Sequence, residues 1–146
     1  MIFSIDPGKT TGLAVWSDTA PVFVAAYEIP NRYEFAELVS VQMPTEIVCE
    51  QFVISERTIR TAQDVNALRL IGWLDIFCNL NGIPFTLQTA AQAKRFATDD
   101  KLKALGWYET GRGHATDAAR HLLVYLKAEH PMMFREHLLP SLMVVL

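Results

Sequence analysis

Two hydrophobic rhythms alternate along the chain. Ile2–Asp6 is a short apolar run stopped by Pro7-Gly8, as expected of a buried strand. Gly12–Trp16 and Val22–Ile29 read as two further strands, joined around Ser17-Asp18 and Pro21, so the N-terminal part predicts a three-stranded antiparallel meander. Tyr33–Met43 changes to helical spacing, with Phe35, Leu38 and Val39 apolar. Glu46–Phe52 returns to a period of two, placing Val48, Glu50 and Phe52 on one face and Ile47, Cys49 and Gln51 on the other. Residues 53–61 are polar and basic and predict a loop. Gln63–Asn81 predicts a long helix whose second half is apolar on nearly every side, ended by Gly82-Ile83-Pro84.

Pro84–Leu87 reads as a fifth strand, and Ala90–Phe96 and Lys101–Leu105 as short helices around a break at Thr98-Asp99-Asp100. Gly111-Arg112-Gly113 predicts a turn, Thr116–Glu129 an amphipathic helix, and Pro131–Leu146 a partly helical apolar tail. This order predicts an α/β fold, a mixed sheet of three antiparallel strands and then two parallel ones, flanked by helices. At 146 residues the chain is expected to be a single domain, 1–146, able to bury its own core.

Composition narrows the setting. No apolar run reaches the roughly 20 residues of a membrane span. The N-terminus opens on a strand without a secretory signal, and Cys49 and Cys78 lie in apolar stretches as buried thiols. A cytoplasmic protein is expected. The net charge is −3, but it is unevenly spread: residues 1–56 carry 2 basic and 8 acidic side chains, residues 57–112 carry 8 and 5. The middle cations include Arg57, Arg60, Arg69, Lys94, Arg95, Lys101, Lys103 and Arg112, which predict either a path for nucleic-acid phosphates or a solvated face.

The stretch IDPGKTTG invites a phosphate-loop reading that fails. Phe3 stands where the first glycine of G-x-x-x-x-G-K-[ST] belongs, and the next element, TGLAVW, is a strand rather than a helix. Asp6, at the end of the first strand, matters more than Lys9. If the first and fourth strands are neighbours, Asp6 and Glu50 meet at one sheet edge, where two carboxylates repel unless a cation intervenes. His114 and Asp117 share one face at a helix start. All four together would suit a two-metal phosphodiesterase site. Singly, Asp117 can serve the helix dipole, His114 a cap, and Glu50 an ion pair.

Four stretches carry a family resemblance over nearly the whole length. SIDPGKTTGLAVW, VCEQF, QDVNALRLIGWL and GHATDAARHLLVYL, in this order, resemble the RuvC-type Holliday junction resolvases of the RNase H-like superfamily, especially the compact phage-borne forms. The resemblance implies an RNase H-like fold and a divalent-metal-dependent endodeoxyribonuclease acting on four-way or other branched DNA, with two Mg²⁺ or Mn²⁺ ions per site. Asp6, Glu50 and Asp117 fall on the family's metal-binding carboxylates, and His114 on the fourth position, usually aspartate. Lys101 falls where the family often has a basic residue facing the scissile strand. Phe52 follows Glu-Gln one position earlier than the aromatic wedge of several members, leaving wedge and core roles both open. By charge, Arg57, Arg60, Lys94, Arg95, Lys101 and Arg112 are the candidate DNA-backbone contacts.

A homodimer is expected, because the second half of the Gln63–Asn81 helix is apolar all round and a four-way junction is two-fold symmetric. Leu70, Trp73, Leu74 and Phe77 are candidates for its interface. Two other readings remain. An actin-like or sugar-kinase phosphate-binding ATPase also uses Asp-x-Gly-x-Thr between strands, but lacks here its second copy. A non-catalytic branched-DNA binding module would keep the fold without cleavage.

Overall fold

In the computed structural model, which describes residues 1–55 and 63–145, five strands form one mixed sheet in the order β3-β2-β1-β4-β5. The strands are β1 (Ile2–Asp6), β2 (Thr11–Ser17), β3 (Val22–Ile29), β4 (Glu46–Glu50) and β5 (Phe85–Gln88). β1 runs antiparallel to β2 and parallel to β4, with Ile5 opposite Cys49, and β5 continues the parallel half. The expected mixed sheet is present. β4 stops at Glu50, two residues early, although Gln51 still donates its N–H to the Gln88 carbonyl at 2.7 Å.

The helices are α1 (Arg32–Gln42), α2 (Gln63–Asn81), α3 (Ala90–Phe96), α4 (Asp99–Leu105), α5 (Gly113–Glu129), α6 (Pro131–His137) and α7 (Leu139–Leu142). Alternation along the strands divides them between two cores. Ile2, Ala14, Trp16 and Val48 face α5, whose Ala115, Ala118, Leu122 and Leu126 are fully buried. Phe3, Ile5, Leu13, Ile47 and Cys49 face α1 and α2, meeting Phe35, Val39, Leu70, Leu74 and Cys78. Each fully buried Leu or Phe stabilises the fold by about 1.5–3 kcal/mol. Ser4 is the polar exception on the α5 face, and its hydroxyl donates to the Ala118 carbonyl at 2.7 Å. Cys49 and Cys78 are buried free thiols, as expected.

Three local differences from the sequence expectation have clear causes. The break between α3 and α4 is present but shorter, confined to Ala97 and Thr98: Thr98 caps α4, accepting from the Lys101 N–H, and Asp99 and Asp100 already form its first turn, where they complement the helix dipole. α5 begins three residues earlier than its apolar pattern, because the Glu28 carboxylate from β3 accepts the His114 backbone N–H at 3.0 Å. α2 turns one stripe into the core but leaves Ile76 62% and Leu80 79% exposed. No helix among the described residues is long and apolar enough to cross a membrane.

Candidate active site

The period of two decides where the acidic side chains go. Ile2 and Ser4 face α5, so Asp6 does too; Val48 faces α5, so Glu50 does as well. Since β1 and β4 pair in parallel register up to Ile5 and Cys49, the next residues, Asp6 and Glu50, come side by side at the carboxyl ends of their strands. α5 packs across this edge and brings His114, Asp117, Arg120 and His121 to it.

The close approach of α5 depends on Gly12. A Cβ built there would lie 1.9 Å from the His114 carbonyl oxygen and 2.3 Å from its carbon. Only a residue without a side chain lets the start of α5 rest against β2.

Each carboxylate has its own basic partner. His114 Nδ1 lies 2.8 Å from Asp6 Oδ2. The buried His121 places Nε2 at 2.8 Å from Glu50 Oε2, and its Nδ1 lies 3.1 Å from the Gln88 side-chain oxygen. Asp117 Oδ1 accepts from Arg120 Nε at 3.0 Å, while Lys94 Nζ stands 3.9 Å from Oδ2. Arg120 also donates to Asp99 and to the Ala97 carbonyl, tying the site to the start of α4.

The charges interact across the site. Burial above all, joined by the charges of Glu50 and Asp117, pushes the Asp6 carboxyl above the ordinary aspartate range, against the pull of His114. The hydrogen bond to Asp6 raises the His114 imidazole, with Glu28 and Asp117 adding to it. The Asp6–His114 pair therefore retains a proton strongly.

Among the described residues no three His, Cys, Asp or Glu side chains already converge as a metal cage. The donor set nevertheless suits a hard cation: Asp6 and Glu50 end neighbouring strands, Asp117 on α5 is near enough to act on Asp6, and burial and these two charges hold the Asp6 carboxyl above its ordinary range, a penalty that a cation would relieve. Asp6, Glu50 and Asp117 would hold such an ion, with His114 available once it loses its proton.

The structure also places the other residues expected at the site. The Lys101 ammonium donates to the Phe96 carbonyl at 2.9 Å and sits 4.0 Å over the Phe96 ring, which Lys127 covers at 3.9 Å. A contact from Lys101 to substrate would require it to leave that seat. Lys94 on α3 flanks Asp117, and Arg95 and Arg112 are exposed. Arg57 and Arg60 lie outside the described residues. Phe52 is half-buried and lines the cleft with Pro7, Gly8, Lys9, Glu50 and His114. Leu70 and Leu74 are spent on the core, while Trp73 and Phe77 stack at its margin, 5.0 Å apart.

Arg120 and His121 did not emerge from sequence reasoning. Their spacing from Asp117, i+3 and i+4 in DAARH, was the available signal.

No protein-family model matches the sequence, and no curated protein matches it. Solved structures do. A Thermus thermophilus RuvC structure in complex with a Holliday junction substrate superposes with a TM-score of 0.64 at 15% identity, covering 92% of this chain and 93% of that one. A second Thermus thermophilus RuvC structure gives a TM-score of 0.59 at 17% identity, covering 92% and 94%. With its β3-β2-β1-β4-β5 sheet and its acidic edge under α5, this chain has the RNase H-like fold of RuvC.

Proposed function

We propose that this protein is a structure-selective endonuclease that hydrolyses phosphodiesters in branched DNA, four-way junctions foremost, as a single nuclease domain working in a cytoplasmic homodimer. The observation that supports this most is the pairing of Asp6 with Glu50 at one sheet edge, with Asp117 of α5 acting on Asp6, in a fold whose solved likeness is bound to a Holliday junction. Two-fold junction symmetry favours a C₂ pair of active sites.

Two Mg²⁺ or Mn²⁺ ions per site would supply the activation of water and the neutralisation of charge at the scissile phosphate. Asp6, Glu50 and Asp117 offer oxygen donors for them. His114 keeps its proton on Asp6 until it is displaced, and then offers Nδ1. Lys94 stands exposed beside Asp117 and is placed to meet a strand phosphate. With Arg57, Arg60, Arg95 and Arg112 it would track the backbone, giving affinity with little base specificity.

The test is a cleavage panel on four-way, three-way, flap and linear DNA, with Mg²⁺ or Mn²⁺, for the wild type and Asp6→Asn. Asp6→Asn keeps the side chain's shape, so junction binding should persist while turnover is nearly abolished. Wild-type-like cleavage by Asp6→Asn would remove the carboxylate edge from the chemistry. Micromolar ATP binding with no cleavage of any branched DNA would point instead to a phosphate-binding ATPase.

A further inference from the structure

A trough leads from the candidate active site past α1 to α2. Three contiguous depressions build it. The catalytic cleft, about 360 Å³, shares Gly8 and Lys9 with a polar depression of about 330 Å³ between the β1–β2 turn and α1. That depression shares Arg32 and Tyr33 with a third, about 340 Å³, between α1 and α2, floored by Leu70 and Trp73 and flanked by Arg69.

The chemistry along it is regular. Lys9, Arg32 and Arg69 supply positive charge at intervals, and none of them is ion-paired among the described residues. Arg32 is fixed by neutral groups, donating to Asn66 Oδ1 at 3.1 Å and to the Tyr33 hydroxyl at 3.0 Å. Arg120, by contrast, is neutralised by two aspartates. A guanidinium oriented by uncharged partners keeps its charge for an anion arriving from solvent. Beside these cations stands Tyr33, 70% exposed, with the Arg32 guanidinium 4.9 Å from its ring centroid; Trp73, at the far end, is half-buried and stacked on Phe77. The first turn of α1 adds nothing here, because the Asn31 side chain already caps it.

Cations at intervals beside an exposed aromatic ring match a single nucleic-acid strand, phosphates to the cations and a base to the ring. We propose that the Lys9–Arg32–Arg69 trough, with Tyr33 as its stacking platform, binds an unpaired DNA strand leaving the cleavage site. This rests on the nuclease reading for the strand's relation to catalysis; the binding chemistry itself is independent of cleavage.

The two kinds of contact have separable signatures. In EDTA, fluorescence anisotropy would track a labelled oligothymidylate of about 12 nucleotides, within the span of single-strand sites, alongside a forked duplex and a blunt one. Lys9→Gln and Arg32→Gln should each flatten the log-affinity against log-salt slope by about 0.7 for the single strand. Tyr33→Ala should weaken binding roughly 5- to 150-fold, with a slope change no larger than that of Arg32→Gln, the cation Tyr33 helps to hold. The blunt duplex should respond to none of the three. Lys9 is exposed and has no ion-pair partner among the described residues, so Lys9→Gln remains informative should Arg32→Gln unfold.

Equal losses on blunt duplex, or single-strand binding unchanged in all three variants, would overturn the proposal. So would ATP binding abolished by Arg32→Gln with no oligonucleotide binding, which would make the trough a mononucleotide pocket. If wild type cleaves no branched DNA yet the variants behave as expected, the nuclease reading falls and the trough stands. If it cleaves and the variants bind normally, the trough alone falls.

Discussion

Replacing Gly12 with alanine adds one methyl group where there is no room for it. The new Cβ would stand 1.9 Å from the His114 oxygen, whereas ordinary contact begins at 3.4 Å, so about 1.5 Å of separation has to be found. The obstructing atoms are backbone at both ends, and no rotamer change relieves them. Either β2 bends away from β1 or the first turn of α5 lifts off the sheet. Overpacking of this kind costs about 1–3 kcal/mol, occasionally more, and the upper end is expected here. Lifting α5 also carries His114 and Asp117 away from Asp6, and a misplacement of about 1 Å can reduce turnover about 10²-fold. Gly72→Ala is the control. It lies within α2 with nothing within 4 Å of its Cβ position, and alanine there should stabilise the helix by up to about 1 kcal/mol. Urea titration of both variants, with single-turnover cleavage of a four-way junction, measures the two effects separately. A Gly12→Ala midpoint equal to wild type, with turnover within about threefold, would refute the claim that this contact seats α5.

The remaining expectations concern charge. His114→Asp should extend activity to lower pH and narrow a Mn²⁺-over-Mg²⁺ preference, because imidazole ligates only when neutral and suits Mn²⁺ better; an unmoved acid limb in the rate profile would exclude His114 as a ligand. In the metal-free protein the raised His114 pKa adds stability that is fully present below the ordinary histidine value of about 6.5 and is lost as pH rises through the raised value. Urea midpoints of wild type and His114→Ala should therefore converge on the alkaline side; a gap that widens there contradicts the pairing. His121→Leu should lower Mn²⁺ affinity about 10- to 100-fold by releasing Glu50 from its orienting bond, and calorimetry showing wild-type affinity would make His121 purely structural. Junction affinity should fall steeply with salt, and Lys94→Ala should reduce the slope by about 0.9; a flat salt response would mean the cations do not meet phosphates.

Much of this was legible in the sequence because the signals were local. The period-two pattern through Val48 and Glu50 set the face of β4, and the stop at Pro7-Gly8 put Asp6 at a strand end. Their adjacency needed only the pairing of β1 with β4. What stayed hidden depended on partners distant in sequence. The start of α5 at Gly113 is held by Glu28 from β3, which no inspection of GRGHAT reveals. His121 stands in an apolar stretch of α5, and its role shows only through Glu50 and Gln88, far away in sequence. Lys101 matched a family position by spacing alone, while its ammonium is drawn to the Phe96 ring and carbonyl. Helix α2, apolar all round, carried no facing information, and only its packing separates Leu74 from Leu80.

The three carboxylates each meet a nitrogen-bearing side chain of α5: His114 for Asp6, His121 for Glu50, Arg120 for Asp117. Assembly of this edge thereby needs no metal. A bare acidic edge would have to wait for cations before it could assemble, whereas here each carboxylate already has a hydrogen-bonding partner from the chain itself. On the nuclease reading, an arriving metal would have to displace the proton shared by Asp6 and His114 and compete with Arg120 for Asp117, so its affinity would be the difference between two sets of contacts. The chain would then fold first and load metal afterwards, and cleavage would follow the supply of divalent ions.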